Sequence, residues 1–347
     1  MKSILLSMSI LILSFAPAIA DTFESWDLPG QGYGTEIMGI AMISDSDGFA
    51  IMRYGKIFHW DGNEWSQIRD LNGVYRGMEY YDSTHIYAYG FACLVIFDGV
   101  SWNDFTPFPP SGIGDMAVVN PQSIWVWGGD VKDGKYLQDT HYWDGTSWTT
   151  YEEPPGFEDR HLYCLGFGAS DDGWAGGSEG RMAHFYNGSW YAYDSPTVYA
   201  RTCSDFANPN YGAMDGYNTS MIYYDGNWYE YFFYFDFTAD YAINDEYIVN
   251  VCEDAMIAVF RDFDQIRGYG TGVPLYSVHA TSPHSIWAGG ADGYVCHWVW
   301  SDEDVQPTSL GNIKAQFPPV SGTSSSITPP KTKNDWNRLC PQPEYEK

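Results

Sequence analysis

Side chains able to do chemistry gather in two stretches of the sequence. Residues 130–139 (Asp-Val-Lys-Asp-Gly-Lys-Tyr-Leu-Gln-Asp) hold the carboxylates of Asp130, Asp133 and Asp139. Residues 151–161 hold Glu158, Asp159, Arg160 and His161. Closely spaced carboxylates can take a cation, arginine suits planar anions, and histidine can exchange a proton near neutrality. Arg76 and Arg201 join them, because both fall in roughly the same column of a repeat described below. These residues form the candidate ligand site, and loops on a rigid scaffold are where binding usually lives. Each also has a plainer reading, as a solvated acidic loop or an arginine paired with a neighbouring carboxylate.

No catalytic residue is assigned. The sequence has no H-E-x-x-H, no G-x-S-x-G and no Walker-type G-K-[ST]. Its glycine runs at 30–34 and 268–272 do not open a helix, which excludes a dinucleotide fingerprint. No cofactor is expected; calcium is the one candidate the acidity raises, at Asp45-Ser46-Asp47-Gly48 and Ser170-Asp171-Asp172-Gly173. Neither cluster has EF-hand spacing.

The chain has 347 residues, with 17 Lys and Arg against 45 Asp and Glu, a formal charge of −28. Nucleic acid is thereby excluded as a partner, since phosphate binding needs a basic stripe. With 44% hydrophobic and 18% aromatic residues, the bulk of the chain must fold around a core.

The elements that would carry these side chains are legible as a repeat. An aromatic, then Asp-Gly or Asn-Gly, then tryptophan recurs: Trp60-Asp61-Gly62 to Trp65, Phe97-Asp98-Gly99 to Trp102, Trp143-Asp144-Gly145 to Trp148. It continues at Tyr186-Asn187-Gly188 to Trp190 and Tyr224-Asp225-Gly226 to Trp228, with weaker copies near Phe260 and Trp298. Successive copies are 37, 46, 43, 38, 36 and 38 residues apart. The insertion at 130–139 accounts for the longest interval. Asp-Gly and Asn-Gly mark hairpin corners, and β-branched, aromatic segments flank them. Further strands precede each hairpin, such as Ser123-Ile124-Trp125-Val126-Trp127 and Ser285-Ile286-Trp287-Ala288. Four strands per unit of about forty residues is the arithmetic of a β-propeller blade. The expectation is all-β: a seven-bladed β-propeller of four-stranded blades over 21–302. The last copy lacks its outer tryptophan, while Trp26 stands alone near the start. Residues 22–28 are therefore expected to supply the outermost strand of the last blade and close the ring.

The run Ile286-Trp287-Ala288-Gly289-Gly290-Ala291-Asp292-Gly293-Tyr294-Val295-Cys296-His297-Trp298 resembles the secreted bacterial propellers with WD-like, YVTN-like and BNR-like repeats. The resemblance spans about 22–302 and implies the fold. It brings no catalytic motif with it.

Outside the repeats, Lys2 and the apolar run 4–16, followed by Ala18-Ile19-Ala20, read as a signal peptide cleaved after Ala20. The chain is then expected to be secreted, extracellular or periplasmic, with no transmembrane segment in its mature form. Residues 303–347, rich in Pro and Ser, read as a flexible tail. The six cysteines are widely spaced, leaving one or two disulfides and buried free thiols equally open. The expected function is a monomeric, non-enzymatic binding or scaffold module for a protein, glycan or cell-envelope component. The alternative is a polysaccharide-acting hydrolase or lyase, with Arg76, Arg160, His161, Arg201 and loop carboxylates converging at the channel mouth.

Overall fold

Apolar runs such as Ile37–Ser44 and Asp47–Met52 are buried on both faces, whereas the outer strand Trp65–Asp70 is largely exposed. This gradient arises when sheets stand face to face and only their outer edges meet water. The computed structural model describes residues 21–30, 34–109, 112–132, 135–158, 160–195, 198–261 and 264–301. The expected signal peptide, the 303–347 tail and Cys340 lie outside them.

Four sheets follow the chain in simple order, each of four antiparallel strands. The first joins Ile37–Ser44, Asp47–Met52, Lys56–Trp60 and Trp65–Asp70. The next three occupy 74–104, 115–151 and 162–193. A fifth sheet pairs Leu275–Ser282, Ser285–Gly290 and Tyr294–Val299 with the N-terminal strand Thr22–Asp27 at its edge. In that register Trp26 lies opposite Val295 and packs on Trp60 and Trp287, with ring centroids 4.9 and 5.6 Å away. The lone tryptophan of the sequence thus has its partners on sheets at both ends of the chain.

The segment 201–270 departs from the four-strand expectation by forming one six-stranded sheet. Within it, Tyr211–Tyr224 is β throughout, yet the Tyr211 and Tyr224 rings lie 6.3 Å apart. Thirteen residues of extended chain would span about 40 Å. The segment therefore folds back, at Asn218, whose φ is 58°. Asn227–Ala242 then runs on from one repeat into the next, pairing first with 217–224 and afterwards with Tyr247–Cys252. Two repeats are joined by this continuous strand, without a break to separate their sheets.

The repeated turns split into two kinds. Asp61, Asp98 and Asp144 each accept backbone N–H groups two and three residues on, closing four-residue loops around glycines with φ near 90°. Asn187-Gly188 and Asp225-Gly226 have positive φ at both residues, as two-residue hairpin loops require. In both kinds the acidic side chain or glycine shapes the turn.

First strands pack in succession: Ile37–Ser44 on Val74–Asp82, then Asp115–Asn120, Leu162–Ala169, Arg201–Asn208, the 237–242 half of Asn227–Ala242, and Leu275–Ser282. Leu275–Ser282 packs in turn on Ile37–Ser44, where Ser277 Oγ donates to Ile37 O at 3.1 Å. Between adjacent sheets lie apolar layers, as where Ile51 and Ile57 meet Met78 and Ala88. Cys93, Cys164, Cys203, Cys252 and Cys296 are buried free thiols, so the disulfide alternative is not realised among the described residues.

Candidate functional site

The two loops singled out by sequence are joined through Gln138, which is 3% exposed. Residues 128–132 and 135–139 pair as an extension of a hairpin, so the insertion is largely strand. Gln138 donates to Glu153 Oε1 at 3.1 Å and to Arg160 O, and its own oxygen accepts Leu162 N–H. Arg160 Nε reaches Glu179 Oε2 at 2.8 Å. Glu158 accepts the Gly156 N–H within its turn. His161 stacks on Tyr163, and its N–H donates to Ser178 Oγ. Asp139 is half-buried on the hairpin. Asp133 and Asp159 lie outside the described residues, as does the side chain of Asp130.

Arg76 and Arg201 do not share a column. First strands carry a bulge near their start, between Tyr75 and Gly77 in one and between Arg201 and Cys203 in another. Arg76 is the bulged residue, so its counterpart is Thr202, while Arg201 corresponds to Tyr75. A one-residue offset in a strand reverses the side chain's direction. Arg76 is exposed, with its guanidinium 4.9 Å from the centre of the Phe91 ring. Arg201 is fully buried, at a position other sheets fill with Ile37, Leu162 and Leu275. It lies 3.6 Å from Glu230 and donates to Thr219 Oγ1. Its place is in the core.

A second grouping went unnoticed in the sequence. A cavity of about 240 Å³ lies between the first strands, lined by Glu79, Asp205, Asp240, His279, Tyr80 and Tyr241 among others. Asp205 is held by the N–H groups of Ala242 and Phe206, both at 2.8 Å. Glu79 has no hydrogen-bond or ion-pair partner among the described residues. Burial, with Asp205 and Asp115 nearby, pushes its carboxyl well above the usual range. Burial does the same to Asp240, which also faces Asp215 and Asp205. Beside them His279 is pushed down to about 3 by burial, and its Nδ1 accepts the Met42 N–H at 3.3 Å. The imidazole is therefore neutral at pH 7, and its ring meets Tyr241 and Tyr80 at 4.5 and 5.0 Å. The cavity thus offers carboxyls and aromatic faces with no cation among its lining residues. A polar residue inside an apolar first strand, as in Met78-Glu79-Tyr80 or Val278-His279-Ala280, was the signal available in the sequence.

The acidic clusters considered for calcium are engaged by protein groups. Asp47 and Asp172 each bond a histidine at 2.8 Å, His59 and His184. Asp45 accepts Thr281 Oγ1 and Ser285 Oγ.

No protein-family model matches this chain, and no curated protein does. Solved structures are similar. YCF48 bound to D1 peptide aligns with a TM-score of 0.58 at 14% identity, over 80% of this chain and 97% of that one. YCF48 from Cyanidioschyzon merolae aligns with a TM-score of 0.60 at 12% identity, over 82% and 99%. For the WD40 β-propeller domain of Doa1 the score is 0.59 at 10% identity, over 79% and 95%. The fold is a β-propeller. A propeller's blades converge on its axis, which is why a cavity lined by first strands gathers side chains distant in sequence. At these identities the likeness concerns the fold alone.

Proposed function

We propose that this chain is an exported, seven-bladed β-propeller that acts as a non-enzymatic binding module, taking a basic side chain of a protein partner into the inner cavity. The seven-bladed reading is supported by seven repeats, by first strands packed in succession, and by the N-terminal strand on the last sheet. Export rests on the apolar segment before Ala20. The observation that carries the binding reading is Glu79, a carboxyl without a partner among the described residues, set beside Asp205 and Asp240. Desolvation raises the pKa of carboxyls placed like these, and a bound ammonium or guanidinium favours their ionised form. A volume of about 240 Å³ accepts one long side chain rather than several sugar rings. The polysaccharide-acting alternative needs Arg76, Arg160, His161 and Arg201 at one cavity. None of the four lines this one.

The test is fluorescence polarisation with labelled Lys- or Arg-bearing peptides on the mature chain. Binding should strengthen as the pH rises and the cavity carboxyls ionise, and weaken with salt. Glu79→Gln should weaken it at least tenfold, and Glu158→Gln should leave it unchanged. Equal loss in both variants, or binding indifferent to peptide charge, would overturn the reading.

A further inference from the structure

The layer between the two repeats of the six-stranded sheet is apolar where Tyr211, Ala213 and Ile222 meet Ile248 and Phe260, but polar side chains interrupt it nearby. Cys203 and Asp215 lie directly opposite one another on adjacent strands of the first repeat, and Asp240 and Asn250 do so in the second. The corresponding pairs elsewhere are mostly small or apolar, such as Gly39 with Ile51 and Ile40 with Ala50. Four ligand-type side chains have thus replaced core residues at one place, two from each repeat.

Their geometry converges. One ligand atom each from Cys203, Asp215 and Asp240 lies within 4.8 Å of the other two. Tetrahedral zinc holds its sulfur and oxygen ligands about 3.3–3.6 Å apart, from bond lengths of about 2.3 and 2.0–2.1 Å. The three atoms are therefore within a rotamer adjustment of a coordination shell. Asn250 supplies an independent pointer. It is 0% exposed, stands directly opposite Asp240, and neither its Oδ1 nor its Nδ2 has a hydrogen-bond partner. A buried amide with both ends unused costs free energy that a ligand would recover. Asp215 Oδ2 and Asp240 Oδ2 are likewise buried without a partner, while Asp215 Oδ1 accepts Met221 N–H.

We propose that Cys203, Asp215 and Asp240, with the Asn250 carbonyl oxygen as fourth ligand, form a structural site for a borderline divalent cation of the zinc type. A thiolate ligand disfavours calcium and magnesium, which take oxygen ligands. Arg201 is the nearby cation; it pairs with Glu230 and also acts electrostatically on Asp215. On binding, the Cys203 thiol gives its proton to solvent as the sulfur–metal bond forms, and any carboxyl proton leaves likewise. Asp240 also lines the inner cavity, which provides the path of entry. The site would cross-link the two repeats that share a continuous strand.

Cobalt(II) titration of the chelator-treated full chain tests this directly. A sulfur-to-cobalt charge-transfer band should grow to one equivalent, be displaced by zinc, and accompany a rise in Tm. It should vanish in Cys203→Ser and persist in Cys296→Ser, which removes a buried thiol on another sheet. Asp240→Asn should weaken affinity at least tenfold. Should Cys203→Ser fail to fold, Asn250→Ala, which removes only the fourth ligand, should alter the band's visible d–d region and weaken binding. No band in the wild-type chain, a band retained in Cys203→Ser, or unchanged binding in both Asp240→Asn and Asn250→Ala would overturn the proposal. Peptide binding is not read in this experiment, so its outcome is separate from that of the cavity.

Discussion

Arg201 and Glu230 offer a sharp energetic test of where the sequence-level reading of arginine gives way to the fold. Their side chains are 0% and 3% exposed, and the ion pair spans 3.6 Å. Replacing Glu230 with Gln leaves the buried guanidinium, whose Nε has no hydrogen-bond partner, with Asp215 as its remaining nearby counter-charge. Replacing Arg201 with Met strands Glu230 in the same enclosure. Removing one partner of a buried pair costs about 3–5 kcal/mol, because the remaining charge is desolvated without compensation. Removing both behaves differently, since the equivalent positions hold Ile37, Leu162 and Leu275 and Asp215, its pKa raised to about 7, can take up a proton when Arg201 is gone. The double variant Arg201→Met/Glu230→Leu should lie within about 1–2 kcal/mol of wild type, a coupling of several kcal/mol. Urea unfolding of wild type, both single variants and the double variant at pH 7 supplies the cycle, with the m-value monitored for constancy. Single variants costing less than about 1 kcal/mol, or costs that add within about 0.5 kcal/mol, would refute the reasoning. That result would mean the pair is wet and Arg201 is available to a ligand.

Three further outcomes are expected. Trp26→Ala removes a half-buried ring from between Trp60 and Trp287 and should cost about 2–3 kcal/mol in urea unfolding; a neutral effect would mean the N-terminal strand is not part of the cooperative fold. Gln138→Ala leaves Leu162 N–H and Arg160 O without their partner and should cost about 2–3 kcal/mol, with faster proteolytic cleavage at 151–161 as the local readout. His279 folds neutral with its pKa pushed down to about 3, so its contribution is fully present above pH 6.5 and fades as the pH falls toward 3. Between pH 6.5 and 4.5 wild type should lose about 2–3 kcal/mol more stability than His279→Gln, and parallel pH profiles for the two would contradict this.

The sequence by itself determined the repeat, the four-strand unit and the place of Trp26, because these are written in local chemistry. Asp-Gly and Asn-Gly specify corners, and apolar runs specify strands buried on both faces. Gln138 was within a stretch already singled out, but its role needed the hairpin and the 151–161 loop to meet in space. Only the tertiary structure decided the fate of the arginines. A single bulged residue separates Arg76 in solvent from Arg201 in the core, and a bulge leaves no mark in the spacing of hydrophobic residues. The inner cavity and the Cys203–Asp215–Asp240–Asn250 cluster could not be assembled from the sequence for a related reason. Their members come from strands brought together by packing between sheets, and each looks along its own strand like an isolated polar substitution. Periodicity reports which face a residue occupies; only the stacking of sheets decides what that face meets.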